Sequence, residues 1–143
     1  MIQMKNVYKK YPNGVVATNG ISVDIKQGEF VYVVGPSGAG KSTFIKLMYR
    51  EEKATSGEVI VNGINLTTIR NNAVPKFRRQ LGVVFQDFKL LPRLTVYENV
   101  AFALEVIEES PKIIRKRVMD VLELVGLSHK ARMFPNELSG GEQ

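Results

Sequence analysis

Gly35-Pro36-Ser37-Gly38-Ala39-Gly40-Lys41-Ser42 matches the pattern G-x-x-x-x-G-K-[ST] at every fixed position. The residue types suit one task, the capture of a polyphosphate. Phosphate oxygens need several donors converging on a concave site. Gly38 and Gly40 permit backbone angles that turn successive N–H groups inward, and they keep side chains out of the way. A helix opening at Lys41 would add the partial positive charge of its N-terminus. Lys41 supplies a full positive charge for the outer β- and γ-phosphates. The Ser42 hydroxyl suits a Mg²⁺ ligand, and Thr43 can add a further donor.

Such a loop needs a strand before it and a helix after it. Phe30-Val31-Tyr32-Val33-Val34 is a continuous β-branched and aromatic run, which reads as a strand covered on both faces. A helix is expected from Lys41 to about Arg50. Upstream, residues 2–10 and 15–26 read as strands around a turn at Pro12-Asn13-Gly14. In the second, Ile21, Val23 and Ile25 alternate with Ser22, Asp24 and Lys26. Glu58–Val61 reads as a short strand closed by Asn62-Gly63, residues 73–80 as a short helix, and Gly82–Gln86 as another buried strand.

The pattern turns helical after Gln86. Thr95-Val96-Tyr97-Glu98 is a capping box, and Val96, Val100, Ala103, Leu104 and Ile107 form the stripe behind it. Ser110-Pro111 opens a second helix, lined by Ile114, Val118, Val121, Leu122 and Val125 and ended by Gly126. The fold class is therefore α/β, with a β-rich first half and a helical block over about 95–126.

Composition narrows the chemistry. The 143 residues hold no cysteine and one histidine, His129, which excludes thiolate metal sites and cysteine nucleophiles and argues against a Ser-His triad. His129 itself reads as a helix-surface residue. The net charge is +6, with runs at Lys76-Phe77-Arg78-Arg79 and Arg115-Lys116-Arg117. No nucleic-acid fold signature accompanies it, so both runs read as solvated faces and no nucleic-acid partner is expected. No apolar run approaches the roughly 20 residues of a membrane span. No leader precedes the first strand, so the expectation is a cytoplasmic protein that reaches a membrane only through a partner.

Three further stretches give the loop a family context. Leu138-Ser139-Gly140-Gly141-Glu142-Gln143 resembles the signature motif of ATP-binding-cassette (ABC) ATPases, Val83-Val84-Phe85-Gln86 resembles their Q-loop, and Tyr11 sits where they place an aromatic that stacks on adenine. Taken alone, an aromatic near a strand end such as Tyr11 is more often a packing residue. Within the family the wording is nearest to a bacterial cell-division branch, tilted that way by Met48-Tyr49-Arg50-Glu51. Lipoprotein-release and macrolide-export ATPases share several of the same words.

The resemblance implies a P-loop ATPase domain with a β-subdomain and a helical subdomain. Residues 1–86 would be the nucleotide-binding core, and 87–143 the Q-loop, helical subdomain and signature. It implies ATP and Mg²⁺ as cofactors. Tyr11 and residues Gly35 to Thr43 would bind ATP, with Gln86 ligating Mg²⁺ beside Ser42 and sensing the γ-phosphate. It implies a homodimer in which Leu138, Ser139, Gly140, Gly141, Glu142 and Gln143 contact the partner copy's ATP. It also implies an integral membrane partner, FtsX-like in the cell-division branch, and a peripheral position on the cytoplasmic face of the cell membrane. In the family the signature is followed by a strand ending in Asp-Glu, whose Glu is the general base, and by a switch histidine. None of these falls within residues 1–143. The expectation is thus a domain truncated at the signature, inactive by itself, with hydrolysis belonging to a full-length parent. A non-hydrolysing ATP-dependent scaffold is the alternative. Finally, Phe88, Leu90, Leu91 and Pro92 place apolar side chains in a connection, either to dock a partner helix or to cover the helical pair.

Overall fold

The computed structural model describes residues 1–143 and divides them into two compact units, Met1–Gly82 and Val83–Gln143. The first unit is built on a four-stranded antiparallel sheet. Its strands are β1 (Ile2–Lys10), β2 (Val16–Ile25), β3 (Ser56–Val61) and β4 (Ile64–Asn65), in the order β2-β1-β3-β4. The alternation read in the sequence fits this sheet. Ile21 and Val23 pack toward the core while Ser22 and Asp24 face solvent. The β1–β2 turn closes with the Tyr11 N–H donating to Val15 O (2.8 Å) and the Gly14 N–H to Tyr11 O (2.9 Å), Gly14 standing at φ 87°. That closure holds Tyr11 at the tip of β1.

Helix α1 (Lys41–Met48) lays Phe44 and Leu47 against Met4, Val7, Val59, Val61, Leu66 and Phe77, and these residues are the core of the unit. The helix stops two residues before the expected Arg50. Arg50 takes a left-handed φ of 62° and buries its guanidinium, whose Nε donates to Leu66 O at 2.8 Å. Arg78, from the short helix α2 (Val74–Arg78), donates to Tyr49 O (2.9 Å) and Arg50 O (3.0 Å), satisfying carbonyls at the end of α1.

Two expectations fail here for one reason. Phe30–Val34 and Gly82–Gln86 are not strands, and Phe30, Val34 and Val84 are 81%, 86% and 96% exposed. An apolar run becomes a buried strand only when neighbouring strands satisfy its backbone and layers cover its faces. The sheet of this unit contains no strand beside either run.

The second unit is a helical pair, α3 (Val96–Glu105) and α4 (Pro111–Leu124). The capping box forms as read. The Glu98 N–H donates to Thr95 Oγ1 (3.2 Å) and the Thr95 N–H to Glu98 Oε2 (2.7 Å), which holds the Glu98 carboxyl below its usual range. Ser110 occupies the N-cap of α4 without a side-chain cap bond, and Gly126, at φ 74°, ends the helix region. The core is Val96, Ala101, Val118, Leu122 and Leu138. Ala101 rather than Ala103 faces inward, because the stripe of α3 runs through Val96, Val100, Ala101 and Leu104. Val121 and Val125 are also exposed, at 45% and 58%. They stand on the wall of an apolar concavity of about 180 Å³, shared with Leu90, Val96, Val100 and Leu138.

Candidate functional site

The phosphate loop follows Val34 and ends where α1 begins. Gly35, Gly38 and Gly40 take φ values of 154°, 78° and 88°, which L side chains rarely adopt. Gly40 is the N-cap of α1 and also lies against β2, where a Cβ would stand 2.0 Å from Ala17 O. A Cβ on Gly38 would meet nothing within 4 Å, so the mouth of the loop is open.

The donor set holds one cation and no acid. Helix geometry leaves the first-turn N–H groups of α1 without intrahelical partners, and Gly40 has no side chain to cap them. No acidic residue lies in that turn. Lys41 curls over the loop, its Nζ donating to Gly35 O (2.8 Å) and Pro36 O (2.7 Å). The ammonium thus stands at the loop held only by neutral carbonyls, free to exchange them for anionic oxygens. The Ser42 hydroxyl is on the exposed side of the helix start. Uncapped first-turn N–H groups, one ammonium, one hydroxyl and no carboxylate fit a polyphosphate with its counter-cation. No cluster of His, Cys, Asp or Glu in the chain could hold a metal by itself.

Two loop residues differ from the expected roles. The Ala39 N–H is spent inside the loop on Pro36 O at 3.2 Å. Thr43 is buried, and its Oγ1 lies 3.1 Å from the Tyr11 hydroxyl, so the side chain joins the loop helix to Tyr11 instead of adding an open phosphate donor. Tyr11 is half-buried and stands outside the hydrophobic core.

Gln86 and the signature belong to the second unit. Gln86 is exposed and precedes Phe88 and Lys89, both at φ 54°, a left-handed pair without glycine. Phe88 and Leu91 are 43% and 38% exposed, while Leu90 is half-buried at the apolar concavity. Asn99 pins this connection. Its Oδ1 accepts the Leu91 N–H (2.8 Å), and its Nδ2 donates to Leu91 O, Leu94 O and Thr95 O at 3.0–3.1 Å.

At the signature, Leu138 is buried in the core and anchors the motif rather than presenting it, which corrects its reading as a contact residue. Ser139, Gly140 and Gly141 are exposed. Glu142 takes the Ser139 N–H and hydroxyl on Oε2, both at 2.9 Å, and Lys130 Nζ on Oε1 at 2.6 Å. These contacts, the Lys130 hydrogen bond first, hold its carboxyl at about 2. Gln143 donates from Nε2 to Leu138 O at 3.0 Å. Nothing in the sequence pattern marks Lys130 or Asn99 for these roles. Asn99 is one turn from the Thr95 cap, but nothing in its spacing declares the bonds it makes.

The family model described as ABC transporter matches residues 18–143. The chain belongs to the ABC transporter family. It is 69% identical over 143 residues to the cell division ATP-binding protein FtsE of Bacillus subtilis (strain 168), covering all of this chain and 63% of that relative. It is 60% identical to FtsE of Streptococcus pneumoniae (strain R6), again over all of this chain and 62% of the relative. The chain thus spans less than two-thirds of the length of these curated relatives. Among solved structures, the dimeric post-hydrolysis state of the ATP-binding cassette MJ0796 bound to ADP and Pi superposes with a TM-score of 0.88 at 38% identity. That match covers 99% of this chain and 65% of the cassette. The ABC fold assignment therefore stands, although the two apolar runs beside the loop are not strands here.

Proposed function

We propose that this chain is the ATP-binding portion of an ATP-hydrolysing ABC subunit that acts in bacterial cell division with an FtsX-like integral membrane partner. The observation that carries the ATP reading is the phosphate loop. Gly35, Gly38 and Gly40 hold left-handed angles, α1 opens without a capping side chain, and Lys41 Nζ rests on replaceable carbonyls. The likeness to FtsE carries the cell-division part.

Residues Gly35 to Ser42, with the Thr43 backbone, cradle the phosphates, and Tyr11 stacks on the adenine. Ser42 would hold Mg²⁺ beside the phosphates, where the ion would offset charge building on the transferred group; Gln86, the other ligand that the family resemblance implies, lies in the second unit. Ser139, Gly140 and Gly141 serve the ATP of a second copy, so two chains share each nucleotide. No helix is long and apolar enough to cross a membrane. The likeness to FtsE supports a peripheral place on the cytoplasmic face beside the membrane partner.

Genetic replacement tests the whole reading. The full-length protein, expressed in Bacillus subtilis lacking its own FtsE, should restore normal division, and a Lys41→Ala version should not. Failure to restore division by a stably expressed, ATP-binding protein would move it to a transport branch of the family.

A further inference from the structure

The Tyr11 ring is held from three directions. Its backbone is closed into the β1–β2 turn, and its hydroxyl lies 3.1 Å from Thr43 Oγ1. The third hold is Lys9, whose Nζ sits 4.9 Å from the ring centroid. Lys9 is not a loose surface cation. Its side chain is 13% exposed, and its Nζ meets Glu52 Oε2 at 2.6 Å and donates to Lys53 O at 3.0 Å. The strand beneath is fixed as well, through Thr55 N–H to Tyr8 O (2.8 Å) and Lys10 N–H to Thr55 Oγ1 (2.9 Å).

We propose that Lys9, clamped by Glu52, is a positioning residue for base recognition, occupying one face of the Tyr11 ring so that adenine stacks on the other. The proposal rests on the reading of Tyr11 as the adenine platform. A tyrosine at a hairpin tip can turn about two side-chain bonds, and ordering it on binding costs affinity. The ammonium is drawn to the negative face of the ring and holds it in one orientation before the base arrives. The Thr43 contact ties the same ring to α1, whose first turn holds the phosphates, so platform and cradle are set at a fixed spacing. Lys9 touches neither the base nor the phosphates in this arrangement and acts only through Tyr11.

Calorimetric titration of the full-length protein separates this from a general charge effect, using Mg·ATP and inorganic tripolyphosphate as probes. Lys9→Met should weaken ATP binding about five- to tenfold, in the range of a partly desolvated cation–π contact, and leave tripolyphosphate affinity unchanged. Glu52→Gln, which loosens Lys9 without removing it, should give a smaller loss of the same selective kind. In a Tyr11→Ala background Lys9→Met should have no further effect. Equal losses for both probes would overturn the proposal, as would losses from Lys9→Met and Tyr11→Ala that simply multiply. Undiminished ATP affinity in Tyr11→Ala alone would overturn the platform reading and the proposal with it. Selective loss in Tyr11→Ala with none in Lys9→Met would overturn the role of Lys9 and leave the platform standing.

Discussion

At the scale of single residues, charge placement decides what each group can do. Lys41 carries no carboxylate partner and rests on two carbonyls, so its ammonium remains available to an anion. Glu142 is the opposite case, committed to Lys130 and to the N–H and hydroxyl of Ser139. Its folded-state carboxyl stands at about 2 against an ordinary 4.5. A depressed carboxyl favours the folded arrangement above its unfolded value, and that contribution is lost as pH falls through the folded one. The hold on Ser139 should therefore be complete above pH 4.5 and be lost as pH falls through about 2. Following the Ser139 amide by NMR through an acid titration checks this. A midpoint near 2 is expected, and one near 4.5 would mean that the Lys130–Glu142–Ser139 contacts do not persist in solution.

At the scale of elements, the phosphate loop is shaped as much by β2 as by α1. A Cβ at Gly40 would run into the Ala17 carbonyl at 2.0 Å, whereas one at Gly38 would meet open space. Gly40→Ala should lower stability by about 3 kcal/mol or more, from left-handed strain plus displacement of β2. Gly38→Ala should cost only about 1–2 kcal/mol, for its left-handed angle alone. Thermal melts of the two variants check the order, and equal melting points would deny β2 its part in forming the loop. How much of this could be read in advance differed by the range of the interactions. The loop, the Thr95 capping box and the α4 stop at Gly126 follow from local rules and were legible. The alternation of β2 was legible too, because one face meets one core. Phe30–Val34 and Gly82–Gln86 are not legible in the same way, because strand status depends on partners far away in sequence, and no strand pairs with them in this chain. Contacts such as Lys9 on Tyr11, Tyr11 on Thr43 and Lys130 on Glu142 join side chains that no periodicity links. The face of α3 was off by the choice of Ala103 over Ala101, since small residues on both sides leave its phase weakly marked.

At the scale of the molecule, the chain divides into two units, each with its own core and, in the proposed function, each with one half-site. The first carries Tyr11 and the phosphate loop, and the second carries Gln86 and the signature. In the proposed function the half-sites are completed by ATP, with the signature of one copy serving the loop of another. All of this depends on the loop being a nucleotide site. The most direct measurement is a calorimetric titration of the full-length protein with Mg·ATP, run beside Lys41→Ala. Saturable binding is expected for the native protein. The variant should lose about 1.5–3 kcal/mol of binding free energy, the range for a hydrogen bond to a charged group, with its fold intact by circular dichroism. Equal affinity in the two proteins would contradict the assignment of the phosphate loop, and with it the account of what this chain does.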